Sequence, residues 1–129
     1  MLHYSLRGEF KDQLMAYVLY GIPNCDTVKK ARVWLDQHGV DYVFHDYKKA
    51  GADAGLLGQW IDEHGWETVL NRAGTTFKKL PDADKANLDK AKAIALMVAQ
   101  PSMIKRPVLD LGDRRLVGFK PDVYAAAFA

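Results

Sequence analysis

The spacing of apolar positions changes several times along the chain, and each change marks an element. The run Ala16–Tyr20 is continuous, β-branched and aromatic, and it stops at Gly21, Pro23 and Asn24, which predicts a buried strand entering a turn. From Thr27 to His38 the spacing becomes three or four residues, with Val28, Ala31, Trp34, Leu35 and His38 on one face of a helix and Gly39 as its stop. A weak alternation over Asp41–His45 predicts a second strand, which the right-handed crossover rule lays parallel to the first.

Helical spacing dominates the next stretch. Asp53 caps a helix whose inner face is Leu56, Leu57, Trp60 and Ile61, ended by Gly65; Trp66–Asn71 reads as a further short helix and Thr75–Leu80 as a polar connection. A long helix is expected over about Asp84–Ala99, with Leu88, Ala91, Ala95 and Val98 inward and Pro101 closing it. Two short apolar runs, Pro107–Leu111 and Leu116–Phe119, flank Gly112–Asp113 and predict an antiparallel hairpin, after which Pro121 opens a last helix, Asp122–Ala127. Trp34, Trp60, Trp66, Tyr20 and Phe119 fall on faces expected to be buried. The order is β, α, β, helices, β, β, α. It predicts an α/β, thioredoxin-like fold with a helical insert between the second and third strands of a mixed four-stranded sheet.

Composition narrows the function classes. A chain of 129 residues, 49% apolar, suits one packed domain, read here as residues 15–129. Residues 1–14 have mixed charge and no apolar core, so they do not resemble a secretory signal and are expected to be a non-native or disordered extension. Eighteen Lys and Arg against sixteen Asp and Glu give a net charge of +2, no bulk footprint for nucleic acid or an anionic membrane. No apolar run approaches the ~20 residues of a membrane span. A single cysteine, Cys25, excludes an internal disulfide framework and points to a reducing, cytoplasmic setting. The four histidines show no ligand spacing with it, so no metal site is expected.

Cys25 falls in the loop between the first strand and the first helix. There the unpaired backbone N–H groups and the helix dipole favour thiolate over thiol, with Lys29 adding positive charge and Asp26 opposing both. An inert, buried cysteine is the competing reading. The fourth position of a Cys-x-x-Cys pair is Val28, so redox chemistry at Cys25 needs an external thiol such as glutathione to complete a cycle.

The segment YGIPNCDTVKKARVWL, with the LNR segment ending at Arg72 and the IKRPVLDLGDRRLVGFKP block, resembles the arsenate reductase (ArsC-like) family of glutaredoxin-like proteins. Its branches include arsenate reductases, Spx transcription regulators and YffB-type proteins, and the resemblance is greatest to the YffB branch. It implies that Cys25 is the nucleophile, supported by Pro23 and Asn24 in its loop and by a cis Arg106–Pro107 peptide before the third strand. It also implies that Arg72 and Arg106 bind an oxyanion or glutathione. Family reductases carry a third arginine where this chain has Lys120, which keeps the charge but loses the bidentate fork, and a histidine where this chain has Gly21.

Three functions follow as expectations. The first is a monothiol, glutathione-dependent thiol-disulfide oxidoreductase acting on a small-molecule or protein disulfide, with no bound cofactor, glutathione as co-substrate near Arg72, Arg106 and Lys120, and glutaredoxin as a further partner. The second is arsenate reduction. The third is a non-enzymatic, Spx-like regulator that binds RNA polymerase or another protein through its helical insert. A monomer is expected.

Overall fold

The computed structural model describes residues 16–129, and the expectation for residues 1–14 lies outside them. Strand β1, Tyr17–Gly21, leads through a short loop into α1, Asp26–Gln37, and back into β2, Tyr42–Asp46. Six helices follow as an insert: α2 Tyr47–Ala50, α3 Ala54–His64, α4 Trp66–Val69, α5 Thr75–Lys78, α6 Asp82–Lys85 and α7 Lys90–Ala99. A 3₁₀ turn, Pro101–Met103, then leads to β3, Val108–Asp110, β4, Arg115–Val117, and α8, Pro121–Ala127. The sheet order is β2-β1-β3-β4, with β1 parallel to β2 and antiparallel to β3, and β3 antiparallel to β4. This is the thioredoxin-like α/β topology with its helical insert between the second and third strands.

The two central strands are apolar on both faces because each face has its own layer to cover. Leu19 and Leu109 point to one side, where Ala31 and Leu35 of α1 and Tyr124 of α8 close over them. Tyr20 and Val108 point to the other, where the insert supplies Tyr47, Leu57, Trp60, Phe77 and Met97. Asp53 caps α3 by accepting from Leu56 N–H at 2.9 Å, as its position in the sequence indicates. In the hairpin, Leu111 N–H donates to the Arg114 carbonyl at 2.8 Å, closing the expected two-residue turn.

The long helix is where the sequence reading fails most. Asn87 has a positive φ of 53°, Asp89 is extended and caps Lys92 N–H, and α7 starts only at Lys90. Its buried positions are Ala93 and Met97, whereas Ala91, Ala95 and Val98 are exposed. The run KAKAIALMVA is apolar most of the way round, so periodicity does not choose a face; packing on α3 does. Ile94 Cδ1 lies 3.9 Å from the place where Gly58 would carry a Cβ. Thr75–Leu80 also holds a helical turn, α5, formed around buried Phe77. The helix expected over Trp66–Asn71 stops at Val69, because Leu70 turns extended to bridge Ile104. Of the five aromatics expected inside, Trp60 and Tyr20 are buried, whereas Trp34, Trp66 and Phe119 are half-buried; His38 is exposed and stacks on Trp34.

The end of α3 is tied to β4. Glu63 accepts from Arg115 N–H at 2.9 Å and from its guanidinium at 3.3 Å, while His64 Nε2 donates to the Arg115 carbonyl at 2.7 Å. Burial alone pushes the Glu63 carboxyl up, but the Arg115 hydrogen bonds, with the charges of His64 and Arg115, outweigh it and hold the carboxyl below its usual range. A carboxyl depressed in the folded state contributes stability in full above its unfolded value, and that contribution fades as pH falls through the folded value. Glu63→Gln is therefore expected to lose about 0.5–1 kcal/mol near neutrality. The gap from the parent protein should close in the acid range, as read by urea unfolding at both conditions.

Candidate active site

Four segments distant in the chain build one hollow of about 480 Å³. The β1–α1 junction supplies Cys25 and Thr27, the segment after α4 supplies Asn71, the approach to β3 supplies Lys105 and Arg106, and the chain from Val117 to Lys120 supplies the remaining wall. Cys25 is half-buried and occupies the N-cap of α1, with extended backbone and no side-chain cap bond; its carbonyl accepts the first helical bond, from Lys29 N–H at 2.9 Å. The thiol thus stands where the α1 N–H groups have no helical acceptor. Pro23 and Asn24 are exposed on the loop, which Ile22 anchors in the core.

The distant segments meet through backbone bonds. Asn71 N–H donates to the Met103 carbonyl and Lys105 N–H to the Val69 carbonyl, both at 2.8 Å, which sets the LNR block beside the block containing Pro107. The Arg106–Pro107 peptide is cis and Pro107 is buried. Arg106 is half-buried, and its Nη1 donates to the Ser102 carbonyl at 3.1 Å. Ser102 is itself tied to α5, its hydroxyl donating to Thr76 Oγ1 at 3.1 Å. Lys120 is the N-cap of α8, its carbonyl accepting from Val123 and Tyr124 N–H at 3.0 and 3.1 Å.

Electrostatically the hollow is one-sided. Lys105, Arg106 and Lys120 line it, no carboxylate does, and none of the three is ion-paired among the described residues. Such a wall suits an anionic ligand held beside the sulfur. The structure therefore brings Cys25, Arg106 and Lys120 together. It does not bring Arg72 into the same hollow: Arg72 lines a neighbouring one of about 330 Å³, its guanidinium 5.3 Å from the centre of the Trp66 ring. Lys29 is exposed and off the hollow's wall. Thr27, Asn71 and Lys105 are wall residues that the sequence reading passed over; the last two adjoin Arg72 and Arg106, and that adjacency is the only signal that could have found them. Among the described residues no group of three His, Cys, Asp or Glu is placed to hold a metal ion. No helix among them is long and apolar enough to cross a membrane.

Gly21 has a structural reason. A Cβ there would stand 2.9 Å from Val28 Cγ2, and Val28 is fully buried and stiff at χ1. A larger side chain at this position has no room beside Val28. Gly21→Ala is expected to cost about 1–3 kcal/mol of stability, measured by urea midpoint. A Gly21→Ala, Val28→Ala pair should lose less than the sum of its single changes.

A lone thiol at a helix N-cap, sharing a cationic hollow with the residue before a cis proline, defines a glutaredoxin-like protein of the thioredoxin-like class, an arrangement consistent with thiol-based redox chemistry. The sequence profile of the ArsC family matches residues 20–127, and the chain belongs to that family. The solved structure of a protein called YFFB (PA3664) is 71% identical, with a TM-score of 0.87, covering 88% of this chain and 100% of that one. An uncharacterized protein of Haemophilus influenzae is 40% identical over 111 residues, 86% of this chain and 97% of its own. The global transcriptional regulator Spx of Streptococcus pyogenes is 30% identical over 106 residues, covering 81% of this chain and 78% of its own. The relation to YffB and the weaker one to Spx agree with the resemblance seen in the sequence.

Proposed function

We propose that this protein is a monothiol, glutathione-dependent thiol-disulfide oxidoreductase. The observation that carries the reading is the lone thiol at a helix N-cap in a hollow that Lys105, Arg106 and Lys120 also line, with no second cysteine in the chain. Cys25, as thiolate, attacks the glutathione sulfur of a mixed disulfide. The S–S bond breaks, the substrate leaves as a thiolate and takes a proton from water, and Cys25 is left joined to glutathione. A second, free glutathione thiolate then attacks that bond, releasing glutathione disulfide and restoring the Cys25 thiolate, so each mixed disulfide reduced consumes one free glutathione. Arg106 and Lys120 hold the tripeptide's carboxylates by charge-assisted hydrogen bonds. A glutaredoxin can substitute for the second glutathione.

The cationic wall also suits an oxyanion, which keeps arsenate as a second substrate reading. Lys120 in place of an arginine and the placement of Arg72 outside the hollow favour it less. A regulatory role like that of Spx loses the disulfide switch, since Val28 occupies the position of the second cysteine. The test is to incubate the reduced protein with glutathione disulfide and weigh it intact, then to assay hydroxyethyl disulfide and arsenate with glutathione supplied. One glutathione on Cys25 and turnover of the disulfide are expected. No adduct and no turnover would remove the redox assignment, and turnover of arsenate alone would replace it with the second reading.

A further inference from the structure

We infer that the oxidised substrate is a polypeptide, an acidic segment whose cysteine is joined to glutathione, lying in a groove that runs from Cys25 past Lys105 to Arg72. The inference rests on the thiol-disulfide reading above and names its substrate class. The hollow at Cys25 and the hollow at Arg72 adjoin, with Asn71, Lys105 and Val117 lining both, so a ligand that crosses Lys105 reaches from one to the other. Along both, Arg72, Lys105, Arg106 and Lys120 face a single carboxylate, that of Glu67, in a chain whose net charge is only +2.

The volume of the first hollow already falls within the ~300–1,000 Å³ range of small-ligand sites. A ligand confined to it leaves the second hollow and Arg72 unused. Arg72 is nonetheless positioned: it is exposed, yet its guanidinium rests against Trp66, which holds the charge at the groove's far end. Between the two ends, Asn71 Oδ1 accepts from Ala73 N–H at 3.2 Å, and its amide donors, without a partner among the described residues, can serve a ligand carbonyl or carboxylate. Lys105 extends over Gly118, its Cε 4.0 Å from where a Cβ would stand there. A ligand filling both hollows must be long and anionic and must present a disulfide at Cys25. Nucleic acid meets the first two demands and not the third, whereas an acidic polypeptide meets all three.

In this arrangement glutathione occupies the hollow at Cys25 and the peptide extends toward Arg72. Attack on the glutathione sulfur expels the peptide thiolate along the groove, and water protonates it. Free glutathione then reduces the Cys25 mixed disulfide and leaves as glutathione disulfide.

The experiment compares three probes on the full chain at low ionic strength. They are the mixed disulfide of glutathione with mercaptoethanol, a short glutathionylated peptide with glutamates flanking its cysteine, and the same peptide with lysines there. The acidic peptide is expected to exceed the basic one in kcat/KM by on the order of tenfold or more, with the gap narrowing as salt is added. Arg72→Ala should bring that ratio toward one, and Arg72→Lys should keep most of it. Equal kcat/KM for the two peptides in the parent protein, while the mercaptoethanol probe turns over, would overturn the inference and leave the thiol-disulfide reading standing. Failure of all three probes would remove that reading itself. Single-stranded DNA binding as tightly as the acidic peptide would reassign the groove to nucleic acid and overturn the inference.

Discussion

Replacing Cys25 with serine is expected to reduce glutathione-dependent turnover of hydroxyethyl disulfide to the uncatalysed background, a loss on the order of 10³-fold or more. Serine has nearly the shape of cysteine, but its hydroxyl does not ionise near neutrality and its oxygen cannot form the mixed disulfide. Cys25 is half-buried and makes no side-chain cap bond, so the fold has little to lose from the exchange. The chain has no other sulfur nucleophile to take over, because Cys25 is its only cysteine. The measurement is the initial rate of glutathione oxidation, with circular dichroism and a urea midpoint to confirm that the variant is folded. A variant that keeps the parent rate would place the chemistry elsewhere and end the monothiol assignment.

Arg106→Ala is the second large effect, an expected fall in kcat/KM for glutathione-dependent reduction of about 10²-fold. The side chain is half-buried, and one of its nitrogens is engaged by the Ser102 carbonyl, so the guanidinium is already oriented before any ligand arrives. Its removal takes away both a charge and a preset donor from a wall that carries no carboxylate. Arg106→Lys should recover only part of the loss, since lysine keeps the charge without the planar fork. The Ser102 tie should make this loss larger than that of Lys120→Ala, because Lys120 is exposed and its side chain has no comparable anchor among the described residues. Steady-state kinetics over a range of glutathione concentrations separates the binding part of each effect from the rest.

The candidate site was legible in part. Cys25 announced itself through a strand that ends in Gly-Ile-Pro-Asn and a helix that begins one residue later, a purely local arrangement. Arg106 and Lys120, which the family resemblance implied, each directly before a proline, both line the thiol's hollow. Lys105 and Asn71 carried no such mark. They reach the groove because Lys105 N–H and Asn71 N–H find the carbonyls of Val69 and Met103, and a pairing between segments so far apart leaves no trace in either one's spacing. Arg72 shows the same limit from the other side. Its chain neighbour Asn71 is fixed by that pairing, but its own guanidinium lies over Trp66 and lines the neighbouring hollow.

The sequence by itself determined the order of the four strands and of α1, α3 and α8 among them, the burial of the first strand, the α3 cap, the hairpin turn and the place of the thiol in its loop. Each of these rests on interactions within a few residues or on the spacing of apolar positions, which any local reading can count. Only the tertiary structure decided which face of α7 is buried, that the turn at Phe77 is helical, and which cations share a hollow with the sulfur. Those outcomes depend on contacts between segments distant in the chain, where the energy of filling a given space, such as the one Gly58 leaves for Ile94, selects among arrangements that are locally equivalent.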